Sequence, residues 1–210
     1  MFRKIAAAHR SPLPGAVSKQ RMSPPSISVA HGGLIPMFLR FSLFSVMVLL
    51  VGCLGMPETV TPVSGFDAER YLGKWYEIAR LDHSFERGLT QVSAEYSWRD
   101  DGAVRVLNRG FDAEEGEWKE AEGVARFVGE PSDAHLKVSF FGPFYGSYVV
   151  FELEKEDYSY SFVSGYNESY LWFLSRTPEV PQSLRDDFEK QARALGFDTE
   201  ELIWVDQSTD

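Results

Sequence analysis

The side chains able to do chemistry in this sequence are few, and their spacing narrows what they could do. Of its 210 residues one is cysteine, Cys53, so no disulfide can form within the chain and no thiol cluster can hold a metal. The four histidines, His9, His31, His83 and His135, stand apart without ligand spacing, which argues against a metal centre. Adjacent acids occur at Asp100-Asp101, Glu114-Glu115 and Asp186-Asp187, in contexts that read as solvated turns and a helix surface. No Ser-His-Asp spacing and no glycine-rich phosphate loop is present. What remains is a non-catalytic pair. Trp75 follows Gly73 at the head of a strand-like series, and Arg176 ends that series about a hundred residues later. A guanidinium over an indole face makes a strong cation–π contact, and first and last strands become neighbours only if the sheet closes on itself.

The elements that must position this pair follow from alternation and turn residues. Phe66 to Leu72 is a short amphipathic lead-in, and Gly73 lets the backbone turn sharply into a strand over Trp75–Leu81. Further strands are predicted over Thr90–Arg99, up to Phe111, Trp118–Val128, His135–Phe141, Ser147–Glu154, Tyr158–Ser164 and Tyr170–Ser175. Asp100-Asp101-Gly102 and Ala113-Glu114-Glu115-Gly116 supply turns. Between Glu120, Glu122 and Arg126, the small residues Ala121, Gly123 and Ala125 take the opposite face, so that strand is expected to border a cavity. After Pro178 and Pro181 the period becomes 3.6. Leu184, Phe188, Ala192 and Leu195 form one stripe of a helix with Ser183 as the expected N-cap and Gly196 past its end, and Leu202–Val205 reads as a last strand. The fold class is all-β: an eight-stranded antiparallel up-and-down barrel, one C-terminal helix packed outside, and a short closing strand.

Gly-x-Trp after a helical turn, eight strands and a closing Arg resemble the lipocalin family. Phe85-Glu86-Arg87-Gly88-Leu89, Tyr96 to Gly102, Lys137 to Gly146 and Tyr170 to Pro178 are similar to the lipoprotein lipocalins of Gram-negative outer membranes, a likeness spanning roughly residues 53 to 206. The family's middle motif, usually Thr-Asp-Tyr, survives only as Ser147-Tyr148. The resemblance implies a lipid-binding protein at the outer membrane with its barrel facing the periplasm, barrel closure by Gly73, Trp75 and Arg176, and a hydrogen-bond donor to a ligand head group at Tyr145. The prostaglandin-synthase type of enzymatic lipocalin needs a cavity cysteine, which this barrel lacks.

The N-terminal region is of a different kind. Residues 1–52 carry six Lys/Arg and no acid, leaving fifteen basic against 31 acidic side chains from residue 53 on, about −16. Such a balance disfavours nucleic acid, which needs clustered cations, and gives no charge-based adhesion to anionic lipid. Residues 1–36, rich in Pro, Ser and Gly, read as disordered or as lying upstream of a true start at Met37. Met37 to Arg40 is then a short positive region, Phe41 to Leu50 an apolar core too short to span a bilayer, and Val51-Gly52-Cys53 a small-residue cleavage site. This arrangement resembles the bacterial lipobox, whose cysteine is acylated and becomes the new N-terminus. Leu54, not Asp, follows it, which in enterobacterial lipoproteins implies export to the outer membrane. The chain is thus divided into a leader (1–52), a flexible tether (53–65) and a barrel domain (66–210).

Aromatic residues make up 14% of the sequence, and with the small inward residues they suggest an apolar pocket. An acyl tail of a fatty acid or lysophospholipid is expected among Val92, Ala94, Tyr96, Ala125, Phe140 and Trp172, with no polar cluster deep inside and with the head group at the open end. No cofactor is expected, and no histidine or free thiol offers a haem an axial bond. A homodimer is compatible with the sequence. Two functions stay open: a membrane-anchored carrier or store of fatty acids or lysophospholipids in envelope maintenance or stress, and a structural envelope lipoprotein acting through protein contacts. The anchor is directly testable: Cys53→Ser should abolish incorporation of a palmitate analogue in cells, and label entering the Ser variant at the wild-type level would place the anchor elsewhere.

Overall fold

The computed structural model describes residues 54–208; the leader and Cys53 lie outside them. A four-residue helix, α1 (Ala68–Tyr71), is capped by Asp67, whose carboxylate accepts from the Glu69 amide. Eight strands follow: β1 (Gly73–Arg80), β2 (Leu89–Trp98), β3 (Val104–Asp112), β4 (Glu117–Phe127), β5 (His135–Phe141), β6 (Phe144–Leu153), β7 (Tyr160–Ser164) and β8 (Leu171–Ser175). Helix α2 (Gln182–Ala194), a 3₁₀ turn (Thr199–Glu201) and β9 (Ile203–Trp204) complete the order.

Neighbouring strands pair antiparallel from β2 to β8, and β1 pairs with both β8 and β2, so the sheet closes. Closure leaves no free edge among the eight strands. β9 adds to β1 through Ala79↔Trp204 and Arg80↔Ile203. Two apolar layers result. Inside, Trp75, Tyr96, Val104, Val106, Leu136 and Val163 pack beneath α1; outside, Ile78, Phe162, Leu171 and Phe173 pack against Phe188 and Ala192 of α2. The helix stripe therefore seats on the barrel's outer wall as its period predicts.

At the closed end the Arg176 guanidinium lies over the Trp75 indole, 3.9 Å from the ring centroid. Trp75 is fully buried and its Nε1 donates to the Tyr71 carbonyl at 2.8 Å. Arg176 donates to three carbonyls from separate segments: Tyr158 at 3.2 Å, Lys74 at 2.9 Å and Arg70 at 2.7 Å. Gly73 has φ +89°, and a Cβ there would come 3.5 Å from the guanidinium. A non-glycine residue would be strained by that backbone before any contact arose.

Several expectations are corrected. The N-cap of α2 is Pro181, with no side-chain cap bond; Ser183 lies inside the helix, where Gln182 bonds Asp186 at 2.9 Å. Residues 54–65 are no loose tether. Val60 is buried in the outer layer, the Val63 amide donates to Val150, the Ala134 amide donates to Val63, and Ser64 bridges Asp133. Apolar burial of Val60 and this short backbone ladder outweigh the disorder that the Pro and Thr content suggested. Strand β6 begins at Phe144 rather than Ser147, and β7 at Tyr160 rather than Tyr158.

Truncation of Trp75 to Ala should cost about 3–5 kcal/mol, as a large aromatic removed from a packed core. Arg176→Lys, which keeps the charge but loses the planar fork, should cost about 1.5–3 kcal/mol. Urea unfolding checks both, and losses below about 1 kcal/mol for either variant would contradict the closure.

Candidate functional site

The two ends of the barrel differ, because Tyr71 of α1 and Trp75, covered by Arg176, fill one of them. The halves of β2 and β3 nearest the Asp100-Asp101-Gly102 turn converge on the closed end. The other ends of the strands splay around a cavity of about 740 Å³, open between the Asp82–Gly88 loop and the turns after β3, β5 and β7. Val92, Ala94 and Tyr96 from β2, Phe140 from β5, Tyr145 from β6 and Trp172 from β8 all line it. Ala125 does not. It is buried in the closed-end core, below the cavity floor. The space expected from the small residues of β4 is also redistributed: a Cβ at Gly123 would come 2.9 Å from the Phe140 ring and 2.9 Å from the Ser139 carbonyl. Phe140 occupies that gap, and the cavity lies further toward the mouth beside Ala121. The Tyr145 ring sits 5.2 Å from the Lys137 ammonium, at the mouth's rim.

The expectation of a cavity without an inner polar cluster is corrected. Glu77, Arg80, His83 and Glu86 are all buried, and Glu77 and Glu86 line the cavity. The register shift of β1 between Glu77 and Ala79 turns Arg80 inward after Trp75 and Glu77. Arg80 donates to Glu77 Oε1 at 2.7 Å and to the Glu86 carbonyl at 2.8 Å, while Trp172 Nε1 donates to Glu86 Oε2 at 3.2 Å. Burial first, and then the negative neighbour Glu86, holds the Glu77 carboxyl well above its ordinary range against the pull of Arg80; burial likewise raises Glu86. One guanidinium between two buried carboxyls favours a retained proton, since two uncompensated negative charges would be costly there. His83 stacks on Phe85 with 4.1 Å between centroids. Its Nε2 lies 3.4 Å from Glu86 Oε2, yet burial, with Arg80 adding to it, lowers its pKa to about 4, so the imidazole is neutral at pH 7 and the contact is not an ion pair.

A second network crosses the inner core. Tyr71 bonds Tyr148 at 2.8 Å and Ser161 at 2.9 Å, and Tyr148 bonds Tyr96 at 2.9 Å. Burial pushes Tyr71 up to about 12 and Tyr96 and Tyr148 upward as well, so these hydroxyls remain neutral. Both networks pair most of their polar atoms with one another and present ring faces and hydrocarbon to the cavity, although Arg80 Nε and both ring nitrogens of His83 are buried without a hydrogen-bond partner. A further unpartnered acceptor lies apart from them. Asn108 Oδ1 is buried, lines the cavity wall region and has no hydrogen-bond partner.

A family model, the Lipocalin-like domain, matches residues 66–207. The chain is a lipocalin. It is 66% identical over 160 residues to the outer membrane lipoprotein Blc of Vibrio cholerae, covering 76% of this chain and 94% of that protein. With Blc of Escherichia coli K12 it shares 52% over 151 residues, 72% of this chain and 85% of the relative. Among solved structures, insecticyanin from the tobacco hornworm superposes with a TM-score of 0.58 at 21% identity, covering 73% of this chain and 87% of that one, a likeness of fold alone. In this lipocalin, sequence reasoning missed Glu77, Arg80, Glu86, Asn108 and Tyr148. Glu77 carried a usable signal, because it shares strand parity with the inward Trp75; Tyr148, the remnant of the middle motif, points inward to join two tyrosines.

The neutral His83 gives a pH dependence with a definite sign. The unfolded imidazole takes up its proton near 6.5 and the folded one near 4, so its contribution to stability is lost as pH falls through that window. Wild type should lose on the order of 2–3 kcal/mol between pH 7 and 4 relative to His83→Phe, which keeps the stacking. Urea midpoints across that range decide it, and parallel pH profiles for the two proteins would contradict the assignment.

Proposed function

We propose that this protein is a lipid-binding lipoprotein of the outer membrane that holds a single fatty acid or lysophospholipid, its acyl tail in the barrel and its head group at the mouth. The observation that carries the reading is the single-mouthed cavity of about 740 Å³. It lies within the size range of small-molecule sites and is left open by an otherwise packed barrel. Its walls favour an alkyl chain because Val92, Ala94, Phe140 and the tyrosine and tryptophan rings line them and most of the buried polar atoms are paired, so a hydrocarbon displaces no hydrogen bond and a sugar or nucleotide finds few. At the rim, Arg87, Arg109 and Lys119 suit a phosphate or carboxylate head. The relatives named outer membrane lipoprotein support the location, as does the lipobox-like run ending at Cys53. The physiological role that fits is carriage or storage of such lipids in envelope maintenance or stress, with the barrel on the periplasmic side and no catalytic step.

Between the two ligand classes Asn108 is informative. Its unpartnered amide oxygen would accept from the glycerol hydroxyl of a lysophospholipid, which a fatty acid does not possess. A binding protein is favoured over a purely structural one because Ala121 leaves volume that a larger side chain would fill at no cost to the fold.

Ala121→Trp should weaken lysophospholipid and palmitate binding more than about tenfold, measured by quenching of intrinsic fluorescence, with an unchanged urea midpoint. Asn108→Leu should weaken lysophospholipid about fivefold and leave palmitate within about twofold, the worth of one hydrogen bond. Unaltered affinity in Ala121→Trp would move the ligand out of the barrel, and no saturable binding by wild type would support the structural reading.

A further inference from the structure

The acidic side chains are unevenly spread around the barrel. The β3–β4 hairpin carries six between Val104 and Phe127, Asp112, Glu114, Glu115, Glu117, Glu120 and Glu122, against four Lys/Arg, Arg105, Arg109, Lys119 and Arg126. The β5–β6 hairpin carries none from Ala134 to Phe151, and its one Lys/Arg is Lys137. At the tip of this acid-free hairpin Phe141 is 81% and Phe144 75% exposed, and both sit on the cavity mouth. Behind them on the outer face the Lys137 ammonium meets the Tyr145 ring at 5.2 Å. Exposed Phe beside Tyr and a Lys that can snorkel is a composition suited to the boundary between lipid headgroups and acyl chains.

The position of the chain end singles out the same hairpin. The Leu54 backbone lies beside the His135 ring at the start of β5. Because residues 54–65 are docked against the wall, an acyl group on Cys53 would enter the bilayer one residue, about 3.8 Å of chain, from that point. Six residue steps along β5 separate His135 from Phe141, roughly 20 Å. The anchor and the aromatic tip would thus touch the membrane at two ends of one strand.

We propose that the β5–β6 hairpin is the face by which the protein lies on a phospholipid bilayer, held beside His135 by the acylated Cys53 and at its tip by Phe141 and Phe144. This rests on the acylation of Cys53 argued above. The cavity mouth then opens at the headgroup level, and an acyl chain passes between bilayer and barrel without crossing water. The β3–β4 hairpin, with a balance of −2 against +1 for the β5–β6 hairpin, faces away.

An acylated Cys53 leaves no free thiol, so an introduced cysteine takes a fluorescent label uniquely. Gly142→Cys, where an added Cβ meets nothing within 4 Å, reports the tip, and Ala113→Cys reports the β3–β4 turn. With the protein purified from membranes and reconstituted in phosphatidylethanolamine and phosphatidylglycerol vesicles, about three to one, spin-labelled lipid should quench the Gly142→Cys label at least about threefold more than the Ala113→Cys label. Adding Phe141→Ser and Phe144→Ser should remove that difference while the protein stays with the vesicles. Equal quenching at the two positions, or a tip label shielded without vesicles in a concentration-dependent way, as a second copy would shield it, overturns the proposal. A chain that takes two labels refutes the anchor alone. The docking face is then read from flotation with the same vesicles, which the tip phenylalanines should support and their Ser variants abolish; flotation insensitive to them overturns it.

Discussion

The stack of Arg176 on Trp75 is the contact on which the rest of the barrel depends. It joins the end of the last barrel strand to the start of the first, and the same guanidinium ties down the carbonyls of Arg70, Lys74 and Tyr158. An eight-stranded sheet that closes has no edge, and its inner face must be filled from one end or left open. Here α1 and Trp75 plug one end. The tyrosine chain above them sets the floor, so the remaining length of the barrel is free for a ligand. Arginine suits this place because it can lie flat on the indole while still donating in its own plane.

In this acidic protein the polar groups around the cavity are mostly neutral or paired. Glu77 and Glu86 share Arg80, and burial holds them toward their protonated forms. His83 is kept uncharged by burial and by Arg80. The three tyrosines and Ser161 exchange hydrogen bonds among themselves. Such arrangements give small net stability and serve mainly to avoid unsatisfied buried polarity. They also bind the Asp82–Gly88 loop to the wall, through Arg80 donating to the Glu86 carbonyl and Trp172 to its side chain, which fixes one lip of the mouth.

Much of the architecture was legible because it rests on local signals. Alternation marked each of the eight barrel strands, β5 to the residue, and Gly73, Gly102 and Gly196 have positive φ where the turn and helix-end chemistry called for it. The closing pair was legible because parity makes Trp172, Leu174 and Arg176 share a face. What escaped depends on tertiary context. The shift between Glu77 and Ala79 breaks the period in mid-strand, so Arg80 could not be placed inside by counting from Trp75. Gly123 looked like empty space because the residue that fills it, Phe140, comes from the neighbouring strand. The segment after Cys53 had a linker's composition, and only the folded barrel gives it places to dock, Val60 in the layer beneath α2 and Val63 against the inner cluster with its backbone bonded to Ala134 and Val150. Cavity membership followed the inward parity for Val92, Ala94, Tyr96, Phe140 and Trp172, and failed for Ala125 because depth along the axis, unlike face, has no sequence period.

The central claim is that one barrel holds one acyl chain. Native mass spectrometry of the protein, delipidated and then exposed to excess lysophosphatidylethanolamine, tests it most directly. The account predicts a single added lipid mass that saturates at one per chain and is lost in Ala121→Trp. No retained lipid, or several bound in proportion to the amount added, would contradict it.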